Sequence, residues 1–519
     1  MDLVLFILLL MAWLCSFTML TLYNLHMFQL NSYKPHEQRK WYKEKFLPAF
    51  VGRNLGVLFT LPLLVFCGRA GVILSIVLYA LTAYLGRPRK AKKPLVYTAR
   101  VKRMLVTAGV LTAATVLLAV LFRKIPAVYG ILLPAAHFVS GFYVLLANLI
   151  NRPVEKAINN WYISDAKRMI DSSPNLRVVG ITGSYGKTSV KFFLRKLLSA
   201  KYNVLMTPES YNTTMGVVKT IRTSLRPTHE IFLCEMGARN IGDIKEICDI
   251  VSPRFGVITS IGPQHLESFK SIDNVIKTKF ELRDALPEDG IVFLNGDNEY
   301  IRSQPPGRKA VTYGIENSDC DYFARDISVS ASGSSFVIDK DGESYTFKTG
   351  LIGSHNVLNI TGAIAAAHTL GVPMKDLIPQ VRALESVPHR LQLIRGRSAL
   401  IIDDAYNSNP SGAKAALDTL ACFDGVKILV TPGMVELGSR QAELNRVFGS
   451  QAAKVCDYVA LVGEKQTEPI YQGLMDAGYP KEKIFVEHDL TGALRSVENL
   501  HTGGVQKIVL LENDLPDNF

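Results

Sequence analysis

At 519 residues the chain is too long for one ordinary hydrophobic core, so two or three domains are expected. A hydrophobic content of 48% with a mean hydropathy of +0.16 argues against a wholly water-soluble protein and places part of the chain in lipid. The formal charge of +12 does not point to nucleic acid, because much of the excess lies in two loops between apolar runs, where topology and anionic headgroups account for it.

Residues 3–28 carry no Lys, Arg, Asp or Glu, enough to cross the roughly 30 Å hydrocarbon layer. A cleaved signal peptide is the alternative, but Asp2 and the lack of a basic n-region favour a retained anchor. Further apolar runs at 55–67, 70–85, 104–122 and 126–150 give five spans, with a re-entrant pair around Arg69 as the variant. Lys34, Arg39, Lys40, Lys43, Lys45 and Arg53 fill one loop, and Arg87, Arg89, Lys90, Lys92, Lys93, Arg100, Lys102 and Arg103 another. Basic loops mark the cytoplasmic side, which leaves only Arg69 and Arg123-Lys124 outside. The expectation is an all-α, multi-pass membrane domain over residues 1–150, N-terminus out and the rest of the chain in the cytoplasm.

A polar helical connector at 154–173 sits in an expected linker, 151–174. A strand at 176–182 then runs into a Gly-rich turn and a helix at 187–200. Strands at 231–234 and 256–260, a helix at 272–286 and a strand at 291–294 continue the alternation of a doubly wound parallel sheet. Short alternating strands over 310–347, with a Lys340-Asp341-Gly342 turn, read as an antiparallel excursion, and helical periodicity returns at 355–370. A second α/β unit follows: strand 399–403, helix 411–422, strand 427–431, helix 441–455, strands 458–462 and 507–511. The soluble domains are thus 175–395 and 396–519, with the junction near Gly396. Cys15, Cys67, Cys234, Cys248, Cys320, Cys422 and Cys456 form no C-x-x-C pair, so neither a zinc site nor a disulfide framework is indicated, and a reducing cytoplasm fits.

The strongest chemical signal is Thr182-Gly183-Ser184-Tyr185-Gly186-Lys187-Thr188-Ser189, placed after a strand and opening a helix as a phosphate loop requires. Gly183 and Gly186 let backbone N–H groups turn toward phosphate, and the helix N-terminus adds its dipole. Lys187 supplies a point charge for the outer phosphates, and Thr188 or Ser189 a hydroxyl for Mg²⁺. The spacing departs from G-x-x-x-x-G-K-[ST], since the upstream glycines are Gly180 and Gly183.

This T-G-x-x-G-K-T/S loop resembles that of the Mur ligases and folylpolyglutamate synthases, and the resemblance covers roughly residues 175–519. It implies a central P-loop ATPase domain followed by a Rossmann-like domain. Glu235, in Cys234-Glu235-Met236-Gly237-Ala238, and His265, in Ile261-Gly262-Pro263-Gln264-His265-Leu266-Glu267, match the family's Mg²⁺ ligands. Lys279 stands where the family carries a carbamoylated lysine that holds a second Mg²⁺. Asn295 and Asp297 match adenine and ribose contacts, Gly353-Ser354-His355-Asn356 with Asn359 a G-x-H-N-x-x-N segment, and Arg390 an arginine that reaches ATP; turn and cap chemistry is the plainer reading of the Asn and Asp residues. Asp403-Asp404-Ala405-Tyr406-Asn407-Ser408-Asn409-Pro410 and Pro432-Gly433-Met434-Val435-Glu436-Leu437-Gly438 resemble signatures of the branch that adds D-alanyl-D-alanine, and Ser210-Tyr211-Asn212-Thr213-Thr214-Met215-Gly216 resembles a substrate-facing loop.

The resemblance implies an ATP- and Mg²⁺-dependent ligase of peptidoglycan synthesis at the bacterial cell membrane. A muropeptide carboxylate is activated as an acyl phosphate and captured by an amine or dipeptide. Lys187, His265, Lys279 and Asp404 are the expected catalytic residues; Gly183, Ser184, Gly186, Thr188, Ser189, Asn295, Asp297, Asn356, Arg390, Tyr406, Asn407 and Asn409 contact nucleotide; Thr188, Glu235, His265 and Lys279 face metal. Two departures touch the acceptor: apolar runs stand where the soluble enzymes have a UDP-sugar domain, and Leu511-Glu512-Asn513-Asp514 lacks the family's K-G-S-R-like ending. A poly-γ-glutamate-type ligase, a silent membrane scaffold and a transport ATPase are the rival readings; the two signatures weigh against the first, the intact phosphate and metal positions against the second, and the scarcity of polar residues in the apolar runs against the third.

Overall fold

The computed structural model describes residues 3–44, 56–86, 94–209, 211–263, 266–396, 399–406 and 408–514. One compact unit takes in residues 1–160 and a second residues 161–515.

Among the described residues of the first unit, helices Leu3–Leu30, Gly68–Leu85 and Ala99–Leu121 are long and apolar enough to cross a membrane. Pro126–Phe138 and Ser140–Asp171 meet at a bend of 72° and count as a fourth crossing only if taken as one broken span. The run expected as the second of five spans gives the shorter apolar helix Gly56–Phe66. It ends where Gly68 takes a positive φ of 53° and the next helix begins. Several polar side chains in these helices find partners inside the unit: Trp13 Nε1 donates to the Leu133 carbonyl at 2.8 Å, Ser16 meets His137 at 2.8 Å, and Arg103 forks onto Glu155 at 2.7 and 2.9 Å.

The described residues of the second unit form two sheets. The first has nine strands: β1 (Arg177–Thr182), β2 (Val204–Met206), β3 (Ile231–Glu235), β4 (Phe255–Ile258), β5 (Ile291–Asn295), β6 (Lys309–Gly314), β7 (Tyr322–Ser330), β8 (Gly333–Lys340) and β9 (Glu343–Thr349). Their order is β2-β3-β1-β4-β5-β6-β7-β8-β9, parallel as far as β7 and antiparallel from β7 to β9. Asp341 and Gly342 turn β8 into β9 with φ of 52° and 82°, the left-handed pair a two-residue hairpin demands. Strands β1, β3 and β4 are apolar on both faces because helices cover both. Phe193, Leu194 and Leu197 of helix Lys187–Leu198 pack with Ile360 and Ile364 of helix Ser354–Thr369 in one core cluster.

The second sheet has six strands: β10 (Gln392–Arg395), β11 (Ala399–Asp404), β12 (Val426–Thr431), β13 (Tyr458–Val462), β14 (Ile484–Glu487) and β15 (Lys507–Glu512). Their order is β10-β11-β15-β12-β13-β14. Only β10 runs antiparallel, and it already belongs to this sheet, so the junction expected near Gly396 falls inside the β10–β11 hairpin.

Candidate active site

The end of β1 opens at the C-terminal edge of a parallel sheet, the usual ligand position in open α/β folds. Gly183 and Gly186 take φ of 151° and 78°, and a Cβ at Gly186 would lie 2.6 Å from Asn359 Oδ1. Ser260 braces the loop, its carbonyl accepting from Ser184 N at 2.7 Å and its hydroxyl from Tyr185 N at 2.9 Å. Ser184 is buried and its hydroxyl donates to the Gly262 carbonyl. Helix Lys187–Leu198 starts at Gly186 with no side-chain cap, which leaves its first N–H groups and positive dipole end for an anion. Thr188 and Ser189 fill its first turn. Lys187 Nζ folds back onto the carbonyls of Gly183 (2.6 Å) and Ser184 (3.2 Å). Desolvation lowers its ammonium to about 8, with Glu235 opposing and Arg390 adding to the shift.

Glu235 ends β3 and is 1% exposed. Its Oε1 accepts from Thr188 Oγ1 and Asn212 Nδ2, each at 3.1 Å, and its Oε2 pairs with Lys191 Nζ at 2.9 Å. Lys191 is fully buried and also donates to the carbonyl of Glu209, so one ammonium ties the phosphate-loop helix, the carboxylate and the loop before Tyr211 together. Lys191 was not singled out from the sequence. The signal was there: it sits in the buried stripe of Val190, Phe193, Leu194 and Leu197, and a charge in such a stripe needs a buried counter-charge.

Lys279 lies on helix Ile272–Asp284 and is 3% exposed. Desolvation first and the neighbouring Lys187 second hold its ammonium well below the usual lysine range, against Glu281, Asp243 and Glu235. His265 lies outside the described residues. Among those described, no group of three or more His, Cys, Asp or Glu converges on a metal position. The Glu235 carboxylate and Thr188 hydroxyl nevertheless fit Mg²⁺, a hard cation that keeps water or phosphate oxygens in most of its shell.

Asn295 donates to the Thr259 carbonyl at 2.8 Å and accepts from Asp297 N at 3.0 Å. The Asp297 carboxylate accepts from the N–H groups of Ile315 (2.7 Å), Glu316 (3.1 Å) and Asn317 (2.8 Å); a ribose contact would compete with that cap. Asn356 donates to the Ile352 carbonyl at 2.8 Å. Turn and cap chemistry thus occupies all three.

A second group assembles at the end of β11. His389 and Leu391 take φ of 57° and 48°, strained values for non-glycine residues, and hold Arg390 between them. Asp403 meets His389 Nδ1 at 2.8 Å, Asp404 accepts from Leu391 N at 3.2 Å, and the Arg390 guanidinium lies 4.4 Å from the centre of the Tyr406 ring. The paired aspartates clamp both sides of Arg390 while Tyr406 stacks on it. Asn407 lies outside the described residues. Asn409 caps helix Pro410–Ala421 by accepting from Gly412 N at 2.8 Å. Beside this group, Asn513 accepts from Ser408 N (3.1 Å) and donates to the Gly433 carbonyl (2.6 Å), pinning the 403–410 and 432–438 loops to each other.

A family profile described as Mur ligase middle domain matches residues 181–367, and one described as Mur ligase, glutamate ligase domain, matches residues 389–511; neither segment reaches the apolar helices. The UDP-N-acetylmuramoyl-tripeptide--D-alanyl-D-alanine ligase of Bacillus subtilis is 33% identical over 277 residues, 53% of this chain and 60% of that protein. The Escherichia coli ligase of the same name is 30% identical over 332 residues, 62% of this chain and 73% of that protein. Among solved structures, MurF from Acinetobacter baumannii superposes with a TM-score of 0.63 at 25% identity, covering 69% of this chain and 78% of the other. MurF ligase from Thermotoga maritima in complex with ADP gives 0.61 at 28% identity, covering 69% and 80%.

Proposed function

The chain belongs to the Mur ligase family, and from that premise we propose that it is an ATP-dependent ligase joining a muropeptide carboxylate to an amine in peptidoglycan precursor synthesis. The observation that carries the reading is the meeting of Lys187, Thr188, Glu235 and buried Lys279 around one helix N-terminus, with Arg390 within electrostatic reach of Lys187.

The acceptor carboxylate attacks the γ-phosphate of ATP, ADP leaves, and the amine then displaces phosphate from the resulting acyl phosphate. Lys187 exchanges the Gly183 and Ser184 carbonyls for phosphate oxygens, and the uncapped N–H groups after Gly186 take the rest of the charge. Thr188, Glu235, His265 and a carbamoylated Lys279 would hold Mg²⁺, which supplies charge neutralisation on the phosphates. A lysine kept uncharged is the form that adds CO₂, and burial favours that form at Lys279. Arg390, clamped by Asp403 and Asp404, adds a fixed positive charge, and Tyr406 shields it from water. Asn295, Asp297 and Asn356 shape the nucleotide's surroundings through the turns they hold.

The Asp403–Pro410 and Pro432–Gly438 signatures support D-alanyl-D-alanine as the amine. The apolar N-terminal helices support a multi-pass membrane domain and a lipid-linked muropeptide as acceptor, and the use of ATP supports a ligase on the cytoplasmic side. The test is phosphate release from ATP by the detergent-purified chain given D-alanyl-D-alanine and either UDP-linked or lipid-linked muramoyl tripeptide. Release that needs both substrates is expected, faster with the lipid-linked acceptor. No release with either overturns the ligase, and equal use of the UDP-linked form overturns the lipid-linked acceptor.

A further inference from the structure

Asp404 and Glu512 are register partners on adjacent parallel strands, β11 and β15, so their side chains leave the same face of the sheet about 5 Å apart at the backbone. They are 8% and 1% exposed. Ser408 Oγ donates to Glu512 Oε1 at 2.5 Å, Leu391 N donates to Asp404 Oδ1, the two carboxyl groups hydrogen-bond each other, and the buried Glu512 Oε2 meets no N–H or hydroxyl donor among the described residues. Arg390 is the cation facing both carboxylates; Asp403 is the other acid beside them, and it is taken up by His389. Two ionised carboxylates beside one guanidinium leave a negative charge uncompensated in a buried place, a cost that either a shared proton or an incoming cation removes.

We propose that Asp404 and Glu512 form the position that receives the ammonium group of the amine donor and takes its proton as the new amide bond forms. The inference rests on the ligase reading above. A primary ammonium brings N–H donors to Glu512 and Asp404 in place of the bond between them, and Tyr406, 47% exposed, is the solvent-facing neighbour in the same loop. Desolvation raises the Asp404 carboxyl to about 6 and Glu512 well above the ordinary carboxylate range, so at neutral pH the pair keeps one proton and one negative charge. The pair takes one proton from the ammonium and so frees the nitrogen's lone pair; as that nitrogen bonds the acyl carbon, the carbon–oxygen bond to phosphate breaks, phosphate leaves with the electron pair and carries off the second nitrogen proton, and the pair returns its proton to water as product departs. Neutral amine is thus generated only where it is used.

The test compares two nucleophiles on the full chain in detergent: D-alanyl-D-alanine, cationic at its amine, and hydroxylamine, uncharged at neutral pH, which traps an acyl phosphate as the hydroxamate. Glu512→Gln is expected to lower kcat/KM for D-alanyl-D-alanine at least tenfold and to flatten its acidic pH limb, with hydroxamate formation within twofold of wild type. Equal loss with both nucleophiles makes Glu512 a structural residue and overturns the inference, as does unchanged use of the dipeptide. Hydroxamate without dipeptide ligation in the wild-type protein removes the donor and overturns it too, whereas absence of hydroxamate from the wild-type protein sinks the ligase reading itself.

Discussion

At the C-terminal edge of the nine-stranded sheet, Glu235 is surrounded by donors: Thr188, Asn212 and the fully buried Lys191. At the same edge of the six-stranded sheet, Asp404 and Glu512 hydrogen-bond each other with Arg390 shared between them. Both places bury carboxylates, and burial alone penalises the charge in each. The first sets a buried lysine against it at 2.9 Å, which holds the carboxylate in one orientation beside the phosphate loop. The second leaves the balance open, which suits a group that must gain and lose a proton in each turnover. A charge meant to stay is paired by the chain; a charge meant to change is paired by what arrives.

The hardest blow to this contrast is aimed at the fixed pair. Lys191→Met strands Glu235 in the core, and we expect a loss of about 3–5 kcal/mol of stability in denaturant unfolding, with much of it regained in the double variant Lys191→Met, Glu235→Gln; equal loss in both would show that packing, not charge, sets the cost. Next in size, Lys187→Ala should lower the rate of phosphate release by about 10²–10³-fold with little change in stability, since Lys187 bonds only loop carbonyls; a rate within a few-fold of wild type would move the phosphate charge elsewhere. The open pair sharpens the contrast through pH. Because the folded protein holds the Asp404 proton up to about pH 6 while the unfolded chain releases it near the ordinary carboxylate value, folding binds protons in that window and stability falls as pH rises through it. Hydrogen exchange of the β11 and β15 amides across pH 4 to 7 should show that fall, and Asp404→Asn should flatten it. Smallest is the exposed ion pair between Arg239 and Glu436 at 3.7 Å, where Arg239→Ala should change stability by no more than about 1 kcal/mol in the same unfolding measurement.

The parts of the fold that were legible in the sequence are those with strong local signals. The Thr182–Ser189 segment announces a strand, a loop and a helix within eight residues, and Lys340-Asp341-Gly342 announces its hairpin. Edge strands did not announce themselves: β2 and β14 have three and four residues, too few for a period, and β10 lies at a junction where composition does not change. Within the site, the loop and Glu235 could be read along the chain, and so could the plainer part of Asn295 and Asp297 as turn residues. The Asp404–Glu512 pairing could not, because it exists only through the register of two strands distant in sequence.

That register has a consequence for how the protein is made. β1, the first strand of its sheet to leave the ribosome, lies inside the nine-stranded sheet, and most later strands add outward from it. β15 is the last strand of its sheet to be made, yet it lies between β11 and β12, so the earlier strands wait as two unjoined fragments with bare edges until it arrives. Vectorial synthesis therefore separates the two halves in time: the phosphate-binding sheet can close while the chain is still growing, whereas the sheet that carries Arg390's clamp closes only when Glu512 and Asn513 slide into its middle. During that interval the second half is the part of the catalytic unit most exposed to misassembly.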